Sequence, residues 1–197
     1  MIAREEYKKI YQLLDRVSPI PGDCGKLCQA SCCQADPSYQ DGIENADYKE
    51  EGELGMYLLP GEEAMLEGEE SWISLKKESK EEYDFPPSWP EEIVFAGCKG
   101  PEACKREKRP IQCRTFPLYP HLEKDGSLCL IYCDFELPYL CPLIEADISL
   151  NEDFIQATYQ AWKKLLEEQV VYDLIKMDSE AREEAAMGYE IVYPREK

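Results

Sequence analysis

The chain has 197 residues, 22 of them basic and 41 acidic, for a net charge of −19. That excess of acid excludes free nucleic acid and anionic membrane surfaces as partners for the chain as a whole, and no apolar run approaches membrane-spanning length. The length suits a single domain, 1–197, able to bury a core without help from metal.

The first residues, MIAREEYKKI, scatter charge and contain no apolar signal core. A cytoplasmic location with reduced thiols is therefore expected. Residues 3–17 read as an amphipathic helix, with Tyr7, Ile10, Tyr11, Leu14 and Val17 on one stripe. Ser18-Pro19-Ile20-Pro21-Gly22 ends it, since proline cannot continue a helix. The stretch CGKLCQASCC, Cys24 to Cys33, follows directly. A helix there would put Cys24, Cys28 and Cys32 on one face. Gly25 weakens a helix, so a loop with a helical turn is an equal alternative.

Residues 34–55 are polar and acidic and read as a surface loop. Met56 to Leu59 is a short strand stopped by Pro60-Gly61, Glu62 to Glu67 a short helix, and Trp72 to Leu75 a strand. Residues 76–82 are charged and read as solvated. Phe85 to Pro90 reads as a packed linker burying Phe85 and Trp89, in preference to a proline-motif ligand. Ile93 to Ala96 is a strand running into Cys98. Glycines and prolines make 97–121 loop-like, and Asp125-Gly126 signals a hairpin turn before a strand at Leu128 to Cys133. From Ser149 the chain turns helical. Ser149 to Glu152 has the spacing of a capping box, Phe154, Thr158, Ala161, Trp162, Leu165 and Leu166 form a stripe, and Val170 to Ile175 continues or restarts it. Ser179 is placed to cap a last helix over 180–187. The expected fold class is α+β: an irregular cysteine-rich, metal-centred domain with short strands, a cysteine-cluster core at about 20–145, and flanking N- and C-terminal helices, the latter over about 149–187.

Ten cysteines need a chemical reason. Disulfides suit small secreted domains, and free thiols require no clustering. Four cysteines within Cys24–Cys33, followed by Cys98, Cys104 and Cys113, favour thiolate ligation of metal, because a tetrahedral ion or an iron–sulfur cluster needs ligands a few ångströms apart. Spacing does not choose between zinc and iron. Residues 98–114 carry Lys99, Lys105, Arg106, Lys108, Arg109 and Arg114 against Glu102 and Glu107, a basic island in an acidic chain. Cations favour thiolate and offset the charge of a thiolate centre, a role expected chiefly of Arg114, Arg109 and Lys99. His121, the sole histidine, reads as an ordinary surface or core residue in preference to a ligand or base. No HExxH, P-loop, nucleophile elbow or glycine-rich dinucleotide loop is present.

Cys24, Cys28 and Cys32-Cys33, then Cys98, Cys104 and Arg109-Pro110-Ile111-Gln112-Cys113-Arg114-Thr115-Phe116-Pro117, resemble the YkgJ-like cysteine-cluster family, described as zinc- or iron-chelating and named for a CxxCxxCC motif. Its RPxxCRxFP element is present in full, and Cys141-Pro142 is similar to the family's final cysteine. This chain has three residues, where the family has two, in each gap of the first motif. The resemblance covers roughly 20–145 and implies eight ligands: Cys24, Cys28, Cys32, Cys33, Cys98, Cys104, Cys113 and Cys141. Cys129 and Cys133 are extras to that pattern. The family also includes flagellin lysine N-methylase-like proteins.

The expected function is therefore metal binding, with zinc or iron as cofactor, a 4Fe–4S cluster included, and no visible catalytic machinery. An iron–sulfur redox protein or methyltransferase-like enzyme is the first alternative. An interaction module with a structural metal and an unidentified protein partner is the second.

Overall fold

The computed structural model describes residues 2–33, 55–68, 71–135, 139–146, 148–186 and 188–194. It is a mixed α+β chain with helices near both ends. Helix α1 (Arg4–Leu14) buries Tyr7, Ile10, Tyr11 and Leu14, the four stripe residues within its bounds. After two short 3-10 turns, Cys24–Lys26 and Ser31–Cys33, come β1 (Gly55–Tyr57), a 3-10 turn Glu62–Met65, β2 (Ile73–Ser79) and β3 (Glu92–Cys98). These strands form one antiparallel sheet in the order β1-β3-β2. Then follow α2 (Ile111–Thr115), β4 (Leu118–Leu122), β5 (Leu128–Tyr132), α3 (Pro142–Glu145), α4 (Glu152–Leu165), α5 (Gln169–Glu184) and β6 (Ile191–Tyr193), with a second antiparallel sheet ordered β4-β5-β6.

The main core lies where α4 and α5 cover the second sheet and α1 packs on α4. Tyr7, Ile10, Phe154, Trp162, Ile175 and Leu130 are among its buried members. A smaller cluster, Leu58, Leu66, Trp72, Ile73 and Ala96, backs the first sheet, with Cys104 packed against it. Burying each such aliphatic or aromatic side chain contributes roughly 1.5–3 kcal/mol, and most of them belong to the helices and the second sheet. No cysteine belongs to the buried main core cluster.

Several local expectations are corrected. The Cys24–Cys33 stretch is not one helix. Two consecutive left-handed residues, Gln29 (φ 53°) and Ala30 (φ 59°), break it, so Cys24, Cys28 and Cys32 share no helical face. The strand expected at Trp72 to Leu75 runs on to Ser79 through charged residues that stay largely exposed, pairing in register with β3 up to Ser79↔Glu92. The loop-like stretch 97–121 contains α2 and β4. The Ser149–Glu152 box does not form. Asn151 occupies the N-cap, and its backbone and side-chain nitrogens donate instead to Pro19 O (2.8 Å) and Ser18 O (2.9 Å). Ser179 caps no helix; it lies inside α5, donating to Ile175 O and accepting from Leu122 N. The hairpin at Asp125-Gly126 and the Phe85–Trp89 linker are as expected, the latter stacked at 5.0 Å. The surface loop expected over 34–55 lies, apart from Gly55, outside the described residues.

Gly55 has a steric reason. A Cβ there would run into Ala96 O and the Phe95 ring, so only glycine lets β1 pair closely with β3.

Candidate metal centre

Each thiol is placed by a local device. Asp23 caps the first 3-10 turn by accepting from Gly25 N at 3.0 Å, which sets Cys24 at its start. The left-handed pair Gln29-Ala30 turns the chain, and Ser31 Oγ donating to Cys28 O at 2.6 Å holds the turn closed. Left-handed non-glycine residues cost about 1–2 kcal/mol each, so the segment spends stability to present Cys28, Cys32 and Cys33. Cys98 ends β3, opposite Ile73 of β2. Cys104 follows a turn in which its N–H donates to Pro101 O at 3.3 Å. Cys113 sits inside α2, with its Sγ 3.7 Å from Met56 Sδ of β1. Cys141 immediately precedes α3 and accepts from Ile144 N and Glu145 N at its carbonyl.

These eight cysteines surround two adjoining cavities. The larger, about 350 Å3, is lined by Cys32, Cys33, Cys98, Cys104 and Cys113 together with Arg109, Trp72, Phe116 and Tyr139. The smaller, about 30 Å3, is lined by Cys24, Cys28, Cys32 and Cys141 with Phe116, Tyr139 and Leu143. Among the described residues, no carboxylate and no histidine lines either. Among the described residues all ten cysteines are free thiols, and no three Cys, His, Asp or Glu side chains already stand as a ligating group. The thiols are neighbours around open space, not a closed coordination shell.

Their protonation follows from burial. Burial pushes the Cys24, Cys98, Cys113 and Cys141 thiols up from the ordinary cysteine value. Cys33 is the exception. Hydrogen bonding with the Cys32 thiol, 3.8 Å away, draws it down to about 7 against the opposing effect of burial, and Arg109 adds to the lowering. Cys32 is raised correspondingly, first by that same contact. The thiols raised by burial stay protonated until a stronger cation arrives, and a metal ion deprotonates coordinating thiols outright. The charged-ligand candidates among the described lining residues are all thiols, which suit a thiophilic ion, with a guanidinium beside them to share the charge.

Two of the three arginines of the basic island, Arg109 and Arg114, divide the work. Arg109 Nε donates to Cys104 Sγ at 3.1 Å. Arg114, expected to join it at the sulfurs, instead hydrogen-bonds Arg109 O, pairs with Asp15 and stacks over the Tyr11 ring at 4.1 Å. The reason is position: α2 turns Arg114 toward α1, so it anchors the loop while Arg109 faces thiols.

Cys129 and Cys133, expected to be less tied to the centre, differ from each other. Cys129 is buried in β5 with its Sγ 3.6 Å from Glu123 Oε1, and burial and that carboxylate push it up to about 12. It lines neither cavity, whereas Cys133 lines the larger one. His121 is fully buried in β4 and is no part of the cysteine group. Its Nδ1 lies 3.0 Å from Arg182 Nη1; arginine can only donate, so Nδ1 accepts and the ring proton is on Nε2. Arg182 is in turn paired with Asp134.

Sequence reading missed Glu62. Its carboxylate is fully buried and accepts from Tyr11 Oη (2.9 Å), Leu59 N (3.3 Å) and Ile111 N (2.7 Å). It thereby fixes the first residue of the helix that carries Cys113. Nothing in the acidic pair Glu62-Glu63 distinguishes the fully buried member from its half-buried neighbour. Only the turn before it, with Gly61 left-handed at φ 94°, aims Glu62 inward.

Comparison of the chain with family models, with curated proteins and with solved structures finds no match. Among the described residues no helix is long and apolar enough to cross a membrane.

Proposed function

We propose that the chain is a metal-binding cysteine-cluster protein, akin to the YkgJ-like family it resembles, in which thiolates from Cys24 through Cys141 chelate zinc or iron in the cytoplasm. The observation that supports this reading is the donor set. Cysteines from three separate stretches of sequence, 24–33, 98–113 and 141, gather around two adjoining cavities that, among the described residues, no carboxylate lines. Sulfur-only ligation suits structural zinc and iron–sulfur clusters alike. Bound metal would cross-link the three stretches and, as an iron–sulfur cluster, would add electron transfer.

The cavity of about 350 Å3 favours a second reading, an iron–sulfur redox protein or methyltransferase-like enzyme, over an interaction module. Its size falls at the small end of ligand-binding pockets, roughly 300–1,000 Å3, and a metal that only holds the fold needs no such space beside it. Anaerobic purification with metal and acid-labile sulfide analysis tests both. Zinc without sulfide supports the first reading, and iron with sulfide the second. A reduced, folded chain that binds neither metal sinks both.

A further inference from the structure

We infer that the eight thiols make two adjacent four-thiolate centres with different accessibility: a closed one at Cys24, Cys28, Cys32 and Cys141, and an open one at Cys33, Cys98, Cys104 and Cys113. This rests on the metal-binding reading and goes beyond it in number, ligand partition and role.

Two observations carry the partition. First, the cavities are separate spaces divided by an aromatic wall. Phe116 and Tyr139 line both, with ring centroids 6.3 Å apart in an edge-to-face arrangement. Second, the count closes over the eight cysteines of the resemblance, Cys133 lining the larger cavity as a thiol outside that set. Tetrahedral thiolate sites take four ligands, and Cys32 is the only sulfur of the eight that lines both cavities. Assigning Cys32 to the small group and its neighbour Cys33 to the large one gives four and four. The Cys32–Cys33 contact at 3.8 Å is then the seam between the centres.

The cavities differ in what they admit. The small one, about 30 Å3 and walled by Leu27, Leu143 and the two rings, has room for one ion and nothing else. The large one exceeds it about tenfold and has Arg109 at its edge, hydrogen-bonded to Cys104. Space for an exchanging molecule beside the sulfurs is the mark of a reactive centre, whereas a structural centre is closed. The small centre thus holds the fold, and the large one exchanges ligands.

Anaerobic titration of the reduced full chain with cobalt(II) tests this. Tetrahedral thiolate cobalt has intense visible bands that report sulfur ligation directly. Two ions per chain are expected. Cys98→Ser and Cys141→Ser are each expected to lose one ion and keep the thiolate spectrum of the other. Release to excess chelator is expected in two phases at least tenfold apart in rate, the fast phase missing in Cys98→Ser and the slow one in Cys141→Ser. Saturation at one ion overturns the partition while leaving metal binding intact, and no cobalt binding at all sinks metal binding itself. If a variant fails to fold, the wild-type stoichiometry and release phases decide alone: a single phase overturns the difference in accessibility.

Discussion

The Glu62 carboxylate and the Ile111 backbone N–H meet at 2.7 Å across 49 residues of chain, in a site with no solvent exposure at Glu62. One carboxylate thus ties α1, through Tyr11, and the turn after β1, through Leu59, to the start of α2. Removing it leaves two buried N–H groups and a phenol without their acceptor. Each unsatisfied buried donor costs roughly 1–3 kcal/mol. Glu62→Ala is therefore expected to lose about 3 kcal/mol or more in a urea melt. An unchanged midpoint would show that the carboxylate carries no part of the fold.

The same group sets a pH dependence. Burial raises the Glu62 pKa above the ordinary carboxylate value, against the lowering by its three hydrogen bonds. Between the unfolded and folded values the folded state holds the extra proton, so stability falls as pH rises through the window above 4.5. Glu62→Gln, which cannot ionise, is expected to flatten that limb of the stability–pH profile. It also turns an amide toward Leu59 N–H and lowers the whole curve. Equal slopes in the two proteins would contradict the assignment.

How much was legible follows from what each element needs. The α1 and α4 stripes were readable because burial against one partner leaves a helical period in the sequence. The hairpin turn was readable because Asp-Gly carries its own backbone preference. β6 and α2 were not, since three and five residues show no period, and both exist only through tertiary pairing. The grouping of Cys24 with Cys141 and of Cys33 with Cys98 was likewise invisible. Adjacent cysteines such as Cys32 and Cys33 differ only in the cavities they line, Cys32 both and Cys33 the larger. Arg109 and Arg114 were indistinguishable for the same reason.

His121 gives a second titration of opposite sign. Burial, then the Arg182 guanidinium, lowers its pKa from 6.5. The unfolded chain takes up the proton first on acidification, so stability is lost as pH falls below about 6.5 toward the folded value. His121→Asn retains an acceptor for Arg182 and does not titrate. Its stability is expected to be less pH-dependent across that window, read by thermal melts at stepped pH. A loss on acidification as steep as wild type would place the titration elsewhere.

The arginines separate under mutation. Arg114→Ala removes contacts to Asp15, Tyr11 and Arg109 O and is expected to cost about 2 kcal/mol of stability, with little change in the pH midpoint of zinc binding. Arg109→Ala removes the cation at Cys104 and is expected to move that midpoint to higher pH, because thiolate formation loses its positive neighbour. The reverse pattern would return the electrostatic role to Arg114.

Chelation is expected to loosen the junction of 24–33 with 98–113 and spare the helices, whose apolar stripes pack on one another. Hydrogen exchange before and after verified metal removal reads this residue by residue. Uniform loss of protection across α4 and α5 would mean that the frame depends on metal after all.

Arg106 Nη2 grips Val17 O at 2.7 Å, and Asn151 grips Ser18 O and Pro19 O just beyond it. The chain is therefore clamped immediately before its first cysteine, by residues that belong neither to the loop nor to its thiols. Natural drift in the length of that loop then carries a small penalty, since lengthening a closed loop costs only about 0.6 kcal/mol per doubling. An extra residue between successive cysteines alters the reach of the sulfurs without disturbing where the loop departs. The first thiols therefore depart from a fixed point of the frame, whatever the spacing of Cys24, Cys28 and Cys32 beyond it.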